Sequence, residues 1–187
     1  MDRNLGASQA ATETNDSLAY GDYYQWGRYA DGHEKNDSEV CDAFLATDLN
    51  DSNTSDWYAQ FIVPPSGPHD WVAADVDDNG SLRSASWNTP YDDNQVCPCG
   101  YVVATENDFK DLNITDTNVS NDFKLAYAGY RSPDSSLGGV DTMAIYWTSD
   151  TNDTNGRGSI PYDLIGDGRA SDHKRAYGLP IRCIKPQ

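Results

Sequence analysis

Four cysteines, 3 histidines and 30 acidic side chains are the groups in this chain of 187 residues that could do chemistry, and their spacing limits what that chemistry is. Cys97-Pro98-Cys99 sets two thiols one residue apart. That is tighter than zinc-ribbon spacing, and no second pair matches it. With Cys41 and Cys183 the thiols are even in number, so all four are disulfide candidates, although spacing leaves their connectivity open. Closing so long a loop contributes roughly 4 kcal/mol in the chain-entropy picture. His33, His69 and His173 are scattered, and His33-Glu34 is not followed by a second histidine four residues on, so no zincin helix exists. They read as surface or hydrogen-bonded histidines. Asp75-Val76-Asp77-Asp78-Asn79-Gly80 opens like a calcium-binding loop, but Ser86 stands where the bidentate Glu should be, and the run reads as a turn. No nucleophile elbow, phosphate-binding glycine loop or dinucleotide fingerprint is present, and carboxylate pairs are unavoidable among so many acids. No catalytic residue, metal or cofactor is expected.

The net charge of -17 repels nucleic-acid phosphate and anionic lipid, which excludes both as partners and describes a solvated acidic surface. No run approaches the roughly 20 apolar residues that span a bilayer, so membrane insertion is not expected, and Met1 to Gly6 lacks the apolar core of a signal peptide. The even cysteine count and the Asn-x-Ser/Thr sequons at Asn53, Asn113 and Asn118 fit an extracytoplasmic or cell-surface setting.

Gly, Pro, Asn and Asp interrupt the chain every several residues, and no long 3.6-residue period appears, so short strands joined by substantial loops are expected. Thr105 to Leu112 begins like a capping box and predicts a helix with Phe109 and Leu112 on one face. A shorter helix is expected around Ser17 to Trp26. Strands are expected at Lys124–Tyr130, Thr142–Trp147 and Leu179–Ile184, the last with Leu179, Ile181 and Cys183 on one face. The run from Asp48 to Asp56 reads as a mobile polar loop. The polar, Gly-rich stretch from Ser149 to Arg175 is longer than an ordinary connection, which marks it as the place to seek function. No repeat or linker divides the chain, so residues 1–187 are expected to form a single domain whose core draws on 12 Tyr and 5 Trp.

Several strings occur in order: Asp2-Arg3-Asn4-Leu5-Gly6-Ala7, Tyr20 to Arg28, Asp31-Gly32-His33, Asp70-Trp71 and Trp87-Asn88. They continue with Cys97-Pro98, Gly100-Tyr101, Thr105-Glu106, Ala128-Gly129-Tyr130-Arg131, Tyr146-Trp147-Thr148-Ser149 and Arg175 to Cys183. The ordered set spans essentially the whole chain and resembles the Fibrobacter succinogenes major paralogous domain family. The resemblance implies an α+β, C-type-lectin-like fold of the formylglycine-generating-enzyme branch, with few short helices, a small antiparallel sheet and long structured loops. It makes Asp70-Trp71 and the acidic turn after it a family landmark rather than a calcium site. Cys97 and Cys183 match the family's usual cysteines, while Cys41 and Cys99 are additions, which implies a Cys41–Cys99 bridge for the extra pair.

The ending from about residue 146 to 183 is similar to the variable region of proteins diversified by retroelements, in which adenine-derived codons change while the scaffold stays fixed. That similarity implies a non-enzymatic ligand-binding protein whose contact positions are Asp150, Thr151, Asp153, Gly156, Gly158, Ile160, Tyr162, Asp163, Ile165, Asp167, Arg169, Asp172, His173 and Tyr177. Exposed loop positions on a rigid scaffold tolerate replacement, and Tyr among Ser, Gly and Asn makes effective contacts. An invariant adhesin or structural domain is the alternative. A formylglycine-generating activity is the weakest reading, because it needs a reactive cysteine pair in a peptide-binding cleft and nothing near Cys97 or Cys183 reads as an activated thiolate. The Glu-Pro-Asn and Gln-Pro-Asp lectin motifs are absent, so the expected partner is a protein or another surface ligand.

Overall fold

The computed structural model describes residues 1–49, 54–66, 70–112, 122–151 and 173–186, together with the backbone of 159–163. His69, the three named sequons and the middle of the Asp48–Asp56 run lie outside these residues.

The described elements are β1 (Tyr24–Gln25), β2 (Val40–Asp42), β3 (Phe61–Val63), α1 (Ala74–Asp77), α2 (Ser81–Asn88), β4 (Val102–Val103) and α3 (Glu106–Lys110). They continue with β5 (Tyr130–Arg131), β6 (Leu137–Gly138), β7 (Ile145–Thr151), β8 (Ser159–Asp163), β9 (Gly178–Leu179) and β10 (Cys183–Ile184). Few short helices and small sheets thus alternate in an α+β arrangement. A four-stranded antiparallel sheet has the order β1-β9-β5-β6, and the pairs β4–β10 and β7–β8 are also antiparallel. The pair β2–β3 is parallel, in addition to the small antiparallel sheet that was expected. The long connection between those strands permits it, since parallel partners need a crossover rather than a tight turn. Among the described residues, no helix is long and apolar enough to cross a membrane.

Local chemistry explains α3. Thr105 Oγ1 accepts from the Asp108 N–H at 3.2 Å while an Asp108 carboxylate oxygen accepts from the Thr105 N–H at 2.7 Å, closing the expected capping box. The helix stops at Lys110, so Phe109 is buried while Leu112 lies beyond the end and is 40% exposed. The helix expected around Ser17 to Trp26 is instead a single 3-10 turn at Ser17–Ala19, capped by Asp16, followed by β1. Gly21 at φ 74° turns the chain between them.

The strand expected at Lys124–Tyr130 forms a ladder only at its last residue. Leu125, Ala126 and Ala128 are buried as a strand's would be, but the Ala126 N–H goes to the Tyr146 hydroxyl and the Tyr127 N–H to the Thr14 carbonyl. The strand expected to begin at Thr142 starts at Ile145 and runs on to Thr151. Leu179, Ile181 and Cys183 are all fully buried, yet the segment divides into β9 and β10 around Pro180, which has no N–H to give a ladder.

The main core joins Trp26, Trp87 and Trp147 with Val103, Ile145, Leu179, Ile181 and the Cys97–Cys183 disulfide. A second cluster holds Trp57, Ile62, Trp71 and Val72, with Cys41 packed against it. The indole N–H groups of Trp26, Trp71 and Trp147 donate to the carbonyls of Thr148, Trp26 and Tyr24 at 2.9, 2.7 and 2.7 Å, so burying these rings strands none of those donors. The Cys41–Cys99 bridge does not form, and both residues are free thiols. Cys41 belongs to the second cluster, whereas Cys99 is exposed on the turn beside the main-core disulfide.

Candidate functional site

Strand β7 enters the candidate region as part of the core. Tyr146, Trp147, Thr148 and Ser149 are completely buried. The Tyr146 hydroxyl donates to the Ala126 carbonyl at 2.9 Å and accepts from Asn4 at 3.1 Å, and the Trp147 N–H donates to Pro180 O at 3.1 Å. Ser149 is held on both sides, its hydroxyl donating to Asn88 at 2.8 Å and its carbonyl accepting from Ser84 at 2.8 Å. The Tyr-Trp-Thr-Ser string is therefore framework.

The next two residues leave the core through specific contacts. Asp150 accepts from the Glu106 N–H at 2.6 Å, satisfying a donor at the start of α3 that the capping box leaves over. The Thr151 hydroxyl donates to Asn79 O at 3.0 Å and accepts from Arg175 at 3.1 Å. Strand β8 folds back on β7 with Tyr162 opposite Tyr146, Asp163 opposite Ile145 and Ser159 opposite Thr151, which places the backbone of Ile160, Tyr162 and Asp163 beside β7. Asp153, Gly156, Gly158, Ile165, Asp167, Arg169 and Asp172 lie outside the described residues.

Arg175, 2% exposed, donates to Asp70 at 3.0 Å and to Asp78 O at 2.7 Å, with its guanidinium 5.2 Å from the Trp26 ring centre. Asp70 also takes a two-pronged contact from Arg83 at 2.6 and 2.8 Å, and Arg83 binds Asp77 at 2.8 Å. Two guanidiniums and two carboxylates thus compensate one another under the tryptophans, as buried charge requires. Burial alone would raise the Asp70 carboxyl, but Arg83 and then Arg175 hold it below the usual carboxylate range. Asp77 also accepts the Leu82 and Arg83 N–H groups at 3.2 Å each, so the calcium-like run is α1 and the turn into α2, with Asp77 committed to Arg83 and the helix start. Asp70 and Arg175 each stand in a landmark string, but nothing local in the sequence pairs them with each other or with Arg83.

His173 and Tyr177 come together on the returning segment, their ring centres 5.2 Å apart, and Tyr177 lies 5.6 Å from Tyr130. Tyr177 also lines a cavity of about 310 Å³ with Val63, Pro64, Ser132, Pro133, Asp134 and Lys174. Hydrogen bonds from Ser132 and Ser136 hold the Asp134 carboxyl down to about 2, and burial followed by Tyr130 and Asp134 pushes the Tyr177 hydroxyl up. This edge offers aromatic area beside one cation and one anion.

One further cluster, Asp31, His33 and Glu34, has potential ligand atoms within 4.8 Å of one another. His33 is fully buried and both ring nitrogens are engaged: Nε2 accepts from the Gln25 N–H at 3.1 Å, so Nδ1 carries the proton it shares with Asp31 at 2.6 Å. Burial, then Arg28, pushes its pKa down to about 3. The ring is a neutral link between β1 and the Asp31 turn, the hydrogen-bonded histidine expected from the sequence. Comparison of the chain with family models, with curated proteins and with solved structures finds no match in any of the three.

Proposed function

We propose that this chain is a non-enzymatic ligand-binding protein with a C-type-lectin-like fold, presenting a surface between about residues 150 and 177 whose side chains vary while its framework does not. The observation that carries the reading is the contrast along this one segment. Tyr146 to Ser149 and Arg175 to Ala176 are buried framework, while Tyr177, whose ring His173 meets, lines a cavity. Rigid aromatic side chains carry most of the energy of protein recognition, and a fixed scaffold lets their neighbours change at small cost.

The net charge of -17 favours a protein or other surface ligand over nucleic acid. The Cys97–Cys183 disulfide supports an extracytoplasmic or cell-surface location. Against an oxidative activity at cysteine, Cys97 and Cys183 are already joined, and burial pushes the Cys41 thiol up, away from nucleophilic character.

A display library of the full chain, randomised at Tyr162, His173 and Tyr177 and panned against several purified, unrelated proteins, tests the reading. Folded members should yield distinct binders for distinct targets. Loss of folding across the library would contradict it.

A further inference from the structure

We infer that Asp150, Thr151 and Arg175 are the fixed points of the candidate surface, positioning residues that tie its two ends to the scaffold, and that diversification is excluded from them. The inference rests on the proposed ligand-binding role and narrows it, because Asp150 and Thr151 fall within the stretch whose resemblance implies variable contacts.

Three separated parts of the chain meet here. Thr151 ends β7, Arg175 opens the buried pair Arg175-Ala176, and Asn79-Gly80 is the turn into α2. The Thr151 hydroxyl spends its proton on Asn79 O and a lone pair on Arg175, while the same guanidinium reaches Asp70 and Asp78 O. Gly80 leaves the room in which they meet: at its φ of +74°, a Cβ would lie 2.8 Å from both Arg175 Nη2 and Thr151 Oγ1. One residue earlier, Asp150 takes the Glu106 N–H of α3. A side chain that completes a buried or half-buried network cannot also be free to change, since each replacement strands a donor or acceptor. These side-chain contacts hold both ends to the scaffold, so replacement of side chains between them leaves the ends in place.

The test needs no ligand. Thr151→Val keeps the β-branched shape and removes the hydroxyl, while Thr151→Ser keeps the hydroxyl. Hydrogen exchange of the β8 amides should speed up about tenfold in Thr151→Val, the loss of one net hydrogen bond, and return near the parent rate in Thr151→Ser. Equal protection in Thr151→Val and the parent would overturn the inference. Saturation of positions 150, 151, 162, 173 and 175 in the displayed chain, scored by protease resistance, separates the two claims. Intolerance at 150, 151 and 175 supports the fixed points, and free substitution there overturns them. Intolerance at 162 and 173 instead contradicts the variable-surface role while leaving the fixed points standing.

Discussion

Arg175 reaches across 105 residues of sequence to place a guanidinium nitrogen 3.0 Å from Asp70, whose carboxylate Arg83 already holds from the other side. Asp70 is thus the shared counter-ion of two buried cations stacked near Trp26. Asp70→Asn leaves both short of negative charge, and breaking a buried pair from one side costs about 3–5 kcal/mol. Denaturant unfolding at neutral pH should show that loss; a change within error would mean that the network is not what secures α2 and the Arg175 segment.

Acid should weaken the fold in two windows. His33 has a folded pKa of about 3 against an ordinary 6.5, so its neutral form is favoured by folding; its contribution is complete above 6.5 and is lost as pH falls toward 3. Asp70, depressed by Arg83 and Arg175, contributes above the ordinary carboxylate value of 3.8 and loses that contribution as pH falls through its lower folded value. His33→Gln should flatten the stability profile in the upper window while costing about 1–3 kcal/mol at neutral pH, from the partners it leaves at Asp31 and Gln25. Stability measured at several pH values distinguishes this from an unchanged slope.

The cysteines should titrate unequally. Native protein should expose Cys99 to a thiol reagent at once and Cys41 slowly, since Cys41 is half-buried and its thiol is pushed up by burial. Cys41→Ser should leave the Cys99 rate unchanged, whereas a newly reactive Cys99 would restore the bridge between them. Replacing Cys97 and Cys183 together by Ala should cost on the order of 4 kcal/mol in the chain-entropy picture, read as the drop in unfolding free energy.

The proposed contact role predicts that joint replacement of Tyr162, Asp167 and His173 by Ala shifts the melting temperature by no more than a few degrees, since positions outside a packed core cost under about 0.5 kcal/mol each. A collapse of the thermal transition would place these side chains in the core.

What the sequence made legible was local. Thr105 and Asp108 sit three residues apart and cap α3 by themselves, and the alternation of Leu179, Ile181 and Cys183 survives although Pro180 divides the strand. What it hid was non-local. Residues 124–130 read as a strand, but the N–H groups of Ala126 and Tyr127 go to a tyrosine hydroxyl and a loop carbonyl instead of a ladder. No pattern around Asp70 or Arg175 announces that each completes the other. The Cys41–Cys99 bridge that the family resemblance implies fails because Cys41 packs with the second cluster while Cys99 is exposed beside the main-core disulfide. In the candidate surface, the positions between the anchors come from the resemblance, whereas the scaffold contacts of Asp150 and Thr151 are apparent only in three dimensions.

The most direct measurement is the sequence of the coding region from Tyr146 to Cys183, with its flanking DNA, across many individuals of the source population. A variable surface predicts substitutions at adenine-derived codons between Thr151 and Arg175 and at Tyr177, unchanged codons for Tyr146 to Thr151 and for Arg175, and a reverse transcriptase gene with an adenine-rich near-copy nearby. An unchanging segment with no near-copy would contradict it and leave an invariant surface protein.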